Sequence, residues 1–383
     1  MKLLLVTYGL NTVGGVQSWQ HLFTHQLLNR GHNVTILEMY DYSELMPDKK
    51  FSREWDKSIA IIKLNGPIIQ RGINKYTLIS ALKVVLNYWR KLKLDRFIAT
   101  ESFDAILFPD PNFTFSFLSR TIERNNSIVQ FHSSFNRFKN TSHIRYWLTK
   151  RKVSSFRKFL FLSKGDVNEA IKNGFPQDKL SYMYNFIDES RFEADPMHGP
   201  LRNRQILVVG NLDNPDKQID HILKAFALID KETTRGWTIK IVGEGETRIT
   251  LQNLSSQLDI SSSVNFVGKK SNPAQDFFES AFYVLSSSFE GFPLTLLECV
   301  YTNVPIISYE CAPSIKEIVE EGVNGLVVQK NSIEKLADAM KYLMTNPEIV
   351  RKMADNQTAF KNKFSSKKII LQWEELLFGV TSI

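Results

Sequence analysis

Ser288-Phe289-Glu290-Gly291-Phe292-Pro293-Leu294-Thr295-Leu296-Leu297-Glu298 joins the end of an apolar run, Phe282 to Leu285, to a short amphipathic segment. It reads as the end of a strand, a turn and the start of a helix. Gly291 and Pro293 turn the chain sharply, and proline suits the first turn of a helix because the N–H it lacks would have had no intrahelical partner. The helix is expected to begin near Leu294. Its first N–H groups are unpaired and carry the positive end of the helix dipole, a good seat for an anion such as a diphosphate. Glu290 and Glu298, with seven residues between them, bracket that position. A carboxylate so near a phosphate is repelled unless it faces something else, and the hydroxyls of a sugar or a ribose are the natural candidates. On spacing alone, a capping role for Glu290 and a solvated helix position for Glu298 account for the two residues equally well.

A chain of 383 residues is too long for one ordinary core, so two domains of similar size are expected. No run of apolar residues is long enough for a membrane-spanning helix. The opening Met1-Lys2-Leu3-Leu4-Leu5-Val6-Thr7-Tyr8-Gly9 is too short for a secretory segment and reads as a first buried strand. Cys299 and Cys311 are the only cysteines; they build no disulfide framework and fit a reducing, cytoplasmic setting. Charge is uneven: residues 1–200 hold 28 Lys and Arg against 18 Asp and Glu, a net of +10, which leaves the rest at −2 of the total of +8. A basic first half fits an anionic membrane surface, a lipid-phosphate carrier or a phosphate-rich polymer. Nucleic acid is disfavoured, because no helix-turn-helix, zinc or aromatic-glycine signature accompanies the charge.

Along the chain, a strand at 2–8 runs into the loop Gly9 to Gly15, which ends in Gly14-Gly15. A helix follows in which Val16, Trp19, Leu22, Phe23 and Leu27 share one face, and Val34 to Leu37 is a second strand. Strand, glycine loop, helix, strand opens a doubly wound α/β domain, whose ligands meet the carboxyl ends of the strands. Apolar runs at 59–64, 105–108, 127–131 and 159–162 fit further parallel strands. His132 sits at the carboxyl end of one of them, where such a fold lines its cleft. The helix expected at 76–93 carries Lys83, Arg90, Lys91 and Lys93 beside Tyr88-Trp89, and Lys150, Arg151, Lys152, Arg157 and Lys158 form a second basic cluster. Both a crossover helix with a solvated basic face and a helix lying on an anionic bilayer fit this pattern. Residues 193–204 form the best linker, and a second α/β unit follows: strand 206–210, helix 218–230, strand 238–242 and the turn Gly243-Glu244-Gly245.

Glu290-Gly291-Phe292-Pro293-Leu294-Thr295-Leu296-Leu297-Glu298 resembles the E-x7-E signature of family-4 retaining glycosyltransferases of GT-B fold. The resemblance implies two doubly wound Rossmann-like domains facing a central cleft. An acceptor-side domain is expected at 1–195, a nucleotide-sugar domain at 196–365, and a helix at 366–383 that crosses back to the first. It implies that Glu290 contacts the donor sugar, Glu298 the ribose hydroxyls, and the backbone from Gly291 through Phe292, Pro293 and Leu294 to Thr295 the diphosphate. Gly14 and Gly15 resemble the family's N-terminal glycine loop, His132 its histidine beside the donor sugar, and Asn185-Phe186-Ile187-Asp188 its Asn-Gly-Ile-Asp element, with Phe186 in place of glycine. Val208-Val209-Gly210-Asn211 followed by Lys217-Gln218 resembles the Gly-Arg-Leu and Lys-Gly pair that clasps the pyrophosphate. Lys217 fits, but Asn211 stands where arginine is usual, and an amide does not neutralise charge as a guanidinium does. Gly268 and Lys269 fall where the family seats the base, and Gly243 joins the donor-binding candidates.

No Asp-x-Asp pair occurs in the chain, so neither a metal nor another cofactor is expected, and cationic side chains with a helix N-terminus carry the leaving-group charge. The implied activity is transfer of a sugar, with UDP the favoured nucleotide, to a hydroxyl of a cell-surface glycan or lipid-linked precursor. Glu290, His132 and Lys217 are the expected catalytic residues. A GT-B epimerase or phosphorylase is disfavoured by the Glu-x7-Glu spacing. The remaining alternative is a degenerate subunit that stabilises an active partner, a reading that Asn211 favours and that Glu290, Glu298, Lys217 and His132 oppose.

Overall fold

The structure is a computed structural model, and it describes residues 1–7, 9–10, 15–39, 55–63, 78–111, 114, 117, 119–140, 142–192, 203–213 and 215–379; for 78–87, 90, 119 and 124 only the backbone is described. The chain divides into two compact units, one formed by Met1–Met183 with Ile369–Ile383 and the other by Tyr184–Lys368.

The first unit is built on a seven-stranded sheet ordered β3-β2-β1-β4-β5-β6-β7. Its strands are β1 (Lys2–Thr7), β2 (Asn33–Glu38), β3 (Ala60–Lys63), β4 (Ala105–Phe108), β5 (Ser127–Gln130), β6 (Lys158–Phe161) and β7 (Leu180–Tyr182), and every pairing is parallel. β4 and β5 are buried along their whole length, as strands covered on both faces must be. Helix Gly15–Asn29 lays Trp19, Phe23 and Leu27 on this sheet, four residues apart and almost wholly buried.

The C-terminal helix, Ser366–Phe378, joins this unit from Ile369 onward. Trp373 lies with its ring centroid 5.0 Å from Phe23 and 5.9 Å from Trp19. Next to it the buried Glu374 accepts hydrogen bonds from Arg30 Nε at 2.7 Å and His32 Nε2 at 2.8 Å. Burial opposes the charge on Glu374, but the bonds from Arg30 and His32 outweigh it and hold the carboxyl below its ordinary range.

The second unit carries a six-stranded parallel sheet ordered β10-β9-β8-β11-β12-β13. Its strands are β8 (Asn203–Val209), β9 (Thr238–Val242), β10 (Val264–Gly268), β11 (Ser280–Leu285), β12 (Ile306–Tyr309) and β13 (Gly325–Val328). The chain runs outward from β8 through β9 to β10, then returns to the other side of β8 with β11. The crevice between β8 and β11 is therefore the switch point at which such sheets bind ligands. In the first unit the same logic picks out the gap between β1 and β4.

Two boundaries differ from the sequence expectation. The units divide at Met183/Tyr184, not at 195/196, because the segment after β7 packs with the second unit. There Phe186, Ile187 and Phe192 are buried, and Glu189 accepts hydrogen bonds from the Tyr301 hydroxyl and the Ser366 N–H. Of the linker expected at 193–204, residues 193–202 lie outside the described residues, and Asn203 and Arg204 already belong to β8. The helix expected at 76–93 spans Leu78–Glu101, and its added turns bury Leu94 and Ile98, four residues apart.

Candidate functional site

Helix Leu294–Tyr301 begins where the proline turn predicts, with Pro293 as its N-cap and no side-chain hydrogen bond to the cap. The Leu296 N–H turns back to the Pro293 carbonyl at 3.1 Å, which leaves those of Leu294 and Thr295 at the open end. The Thr295 hydroxyl is fixed from below, accepting from the buried Tyr283 hydroxyl at 3.1 Å. Phe292 turns inward, with its ring centroid 5.3 Å from Tyr184 and 5.8 Å from Phe364. Phe292 and Pro293 are both buried, so what they offer a ligand is backbone, and Pro293 has no N–H to give. Gly291 gives its carbonyl to the Ser314 hydroxyl at 2.7 Å.

The loop that follows β11 is stitched to the loop that follows β8. The Ser288 N–H donates to the Asp216 carbonyl at 2.7 Å, and the Ser286 hydroxyl donates to the Lys217 carbonyl at 2.8 Å. That stitching brings the Lys217 ammonium 2.7 Å from Glu290 Oε1, and the Ser287 hydroxyl reaches the same oxygen at 2.7 Å. Both partners are largely shielded, the Lys217 side chain 21% exposed and that of Glu290 14%. The stem of Lys217 lies over Gly210, where a Cβ would stand 3.6 Å from it. An ammonium has three donors, so Lys217 can hold Glu290 and still offer hydrogen bonds to an anion. Burial, with the Glu290 charge adding to it, pushes the nearby Cys311 thiol up to about 12, and that sulfur stays protonated.

Glu298 is buried on the inner side of the same helix, with its Oε1 3.7 Å from Arg191 Nη1. Arg191 also donates to Asn272 Oδ1 at 3.1 Å, which ties the segment after β10 to the Glu298 carboxylate.

The remaining expectations fare unequally. Asn211 is exposed and accepts from the Asp213 N–H at 3.1 Å, a local turn that occupies its carbonyl oxygen and leaves its amide donors outward. Gly243 is a packing glycine: a Cβ there would lie 1.9 Å from the Gly210 carbonyl, and its N–H already donates to the Gly268 carbonyl at 2.9 Å. That N–H is therefore already engaged within the fold. Gly268 ends β10 with φ +77, the left-handed region where glycine is favoured, and Lys269 beside it is exposed. Sequence reasoning missed Ser287 and Arg191. The run Ser286-Ser287-Ser288 at a strand's carboxyl end was a usable signal for the first; nothing local marks the second.

In the first unit, His132 follows β5 and borders a recess of about 170 Å³ at the switch point, with Thr7, Gln17, Gln20, Asp110 and Ser133 in its lining. Its ring packs 4.5 Å from Trp19, and its Nε2 is shielded with no hydrogen-bond partner among the described residues. Burial pushes its pKa down to about 3, so the imidazole is neutral near pH 7. Gly15 opens the first helix and is exposed, and a Cβ there would meet nothing within 4 Å. Gly14 lies outside the described residues.

Comparison with known proteins agrees with this geometry. The relative "Uncharacterized glycosyltransferase" of Haemophilus influenzae is 34% identical over 177 residues, 46% of this chain and 50% of that one, so the chain spans half of that relative's length. The apo form of the lipopolysaccharide outer core galactosyltransferase WaaB has a similar fold, with a TM-score of 0.75 at 17% identity over 99% of both chains. HepE of Anabaena, solved in complex with UDP, superposes with a TM-score of 0.76 at 16% identity, covering 99% of this chain and 100% of its own. These likenesses establish an α/β fold of two parallel-sheet, Rossmann-like units, the GT-B class. Residues 13–191 match the model for Glycosyltransferase Family 4 and residues 192–360 the one for Glycosyl transferases group 1. With both halves matched by models of one enzyme group, the chain belongs to the family-4 type of group 1 glycosyltransferases.

Proposed function

We propose that the chain is a retaining glycosyltransferase that moves a hexosyl or N-acetylhexosaminyl group from a nucleotide-diphosphate sugar, with UDP as the nucleotide, to a hydroxyl of a cell-surface glycan precursor. The observation that carries this reading is the Lys217–Glu290 pair beside the uncapped helix N-terminus, at the switch point between β8 and β11. An ammonium and two N–H groups converge where a diphosphate leaves, and a carboxylate stands where sugar hydroxyls would be held. Glu298, buried and oriented by Arg191, suits ribose hydroxyls. Within the first unit, the neutral His132 and the exposed Gly15 suit a sugar. The leaving phosphate takes the acceptor proton as the glycosidic bond forms, and the protein supplies alignment and electrostatics. HepE, solved with UDP, and WaaB, an outer core galactosyltransferase by name, support the donor and the acceptor class. The basic first half fits an acceptor that is itself anionic or lipid-borne.

The two carboxylates separate in a kinetic test. Glu298→Ala is expected to weaken nucleotide binding by about 1.5–3 kcal/mol, the loss of a charged acceptor for hydroxyls, whereas Glu290→Ala lowers turnover with little change in UDP affinity. Equal losses of UDP affinity in the two variants would show the roles to be misassigned.

Transfer is expected to survive excess EDTA. The chain has no Asp-x-Asp pair, and no group of three or more metal-ligating side chains occurs among the described residues. Loss of activity in EDTA with recovery on adding manganese would contradict this.

A further inference from the structure

The helix His143–Lys152 shows two different sides. Thr149 is buried, and Tyr146 joins an aromatic cluster, 5.4 Å from Phe138 and 5.7 Å from Phe175 between ring centroids. On the outward side Ile144 is 70% exposed, Trp147 52% and Leu148 39%. With the exposed Arg151 these side chains follow the i, i+3, i+4, i+7 spacing of one helical face, and Arg145 is exposed beside them. The Arg151 guanidinium lies 4.6 Å from the Trp147 ring centre, at the edge of a recess of about 520 Å³ shared with Lys150, Ser154, Gly174 and Pro176.

The surrounding charge has one sign. From residue 124 to residue 165 the chain holds ten Lys and Arg and not one Asp or Glu. At the end of the helix Lys152 feels the charge of Lys91, which belongs to the helix Leu78–Glu101, as well as that of Glu123. Near Lys91, Tyr88 and Trp89 are 55% and 60% exposed. A membrane contact was one of the two sequence readings of that helix, but the side chains of residues 78–87 and 90 lie outside the described residues. The described apolar face is the one on His143–Lys152.

We propose that Ile144, Trp147 and Leu148, flanked by Arg145 and Arg151, dock the first unit on the surface of a bilayer containing anionic lipid. A phosphate-rich polymer would use the cations and leave three large apolar side chains in water. A lipid surface uses both, with the apolar face at the level of the upper acyl chains, the indole at the interface and the guanidinium groups among the headgroups. The helix lies on such a surface and does not cross it; no helix among the described residues is long and apolar enough to span a membrane.

The full chain is tested by flotation with vesicles of phosphatidylglycerol and phosphatidylcholine and with vesicles of phosphatidylcholine alone. No donor is present, so the outcome is independent of the glycosyl-transfer reading. Wild type is expected to float with the anionic vesicles and to be released as salt rises. Arg145→Gln with Arg151→Gln lowers that binding about fivefold for each arginine. Ile144→Ser with Trp147→Ser lowers it about tenfold or more even at low salt, because the apolar contact is gone. Unchanged melting temperatures show that the variants remain folded, the affected side chains being exposed. Wild type that binds both vesicles alike, or neither, overturns the proposal. So does an Ile144→Ser, Trp147→Ser protein that floats as well as wild type, which would show that the apolar face makes no contact with the bilayer.

Discussion

Lys217→Ala is expected to abolish useful transfer, with turnover falling by about 10²–10³-fold, the usual cost of removing one preorganised donor from a charge-stabilising site. The ammonium does two things here. It holds Glu290 at 2.7 Å, and it is the one cation that the loop after β8 contributes beside the open helix end, since Asn211 replaces the guanidinium expected there. Truncation removes the charge that would face the leaving diphosphate and leaves Glu290, only 14% exposed, with the Ser287 hydroxyl alone. An unpaired carboxylate at that position would repel a diphosphate donor, which on the proposed reading it should help to hold. Asn211→Arg should be tolerated, because the side chain is exposed and its one hydrogen bond among the described residues is a local turn, and the added cation would face the proposed diphosphate. Steady-state kinetics on the two variants check this. Near-normal turnover in Lys217→Ala would remove the lysine from the chemistry.

Trp373→Ala is expected to cost about 3–5 kcal/mol of stability, as large-to-small changes of buried aromatics do. Its ring is fully buried between Trp19 and Phe23, so the C-terminal helix helps to form the wall of the first unit's core. Losing the ring also loosens the neighbouring Glu374, which Arg30 and His32 address from the other end of the first helix. Trp373→Phe should cost far less. It keeps most of the apolar volume and removes an indole N–H that is buried with no partner among the described residues. Urea unfolding of both variants measures the difference. A shift of about 0.5 kcal/mol or less in Trp373→Ala, the scale of a surface change, would show that the helix does not belong to that core.

The parallel sheets were legible because strands buried on both faces are written as short continuous apolar runs: 105–108 is β4 residue for residue. The helix start at Leu294 was legible for a different reason, the restricted backbone of Gly-Phe-Pro. What could not be read were relations between distant segments. The hydrogen bonds from Ser286 and Ser288 to the loop of Asp216 and Lys217 place the ammonium on Glu290, and no local pattern announces them. Arg191 is the same case: its segment looks like the tail of the first domain, yet its guanidinium lies beside Glu298. Gly243 has a packing role that the sequence did not announce. A turn glycine near a strand end suggests a ligand, but here it lets two strand ends approach more closely than any side chain allows.

The most direct measurement is a thermal-shift titration of the wild-type chain with a panel of nucleotide-diphosphate sugars. At a concentration 100 times its dissociation constant, the correct donor is expected to stabilise the protein by about 2.7 kcal/mol, with a UDP-sugar giving the largest shift and Glu298→Ala needing more ligand for the same effect. A wild-type melting temperature that no nucleotide sugar moves would contradict donor binding at the Lys217–Glu290 site, leave the fold in place, and favour a subunit that supports another transferase.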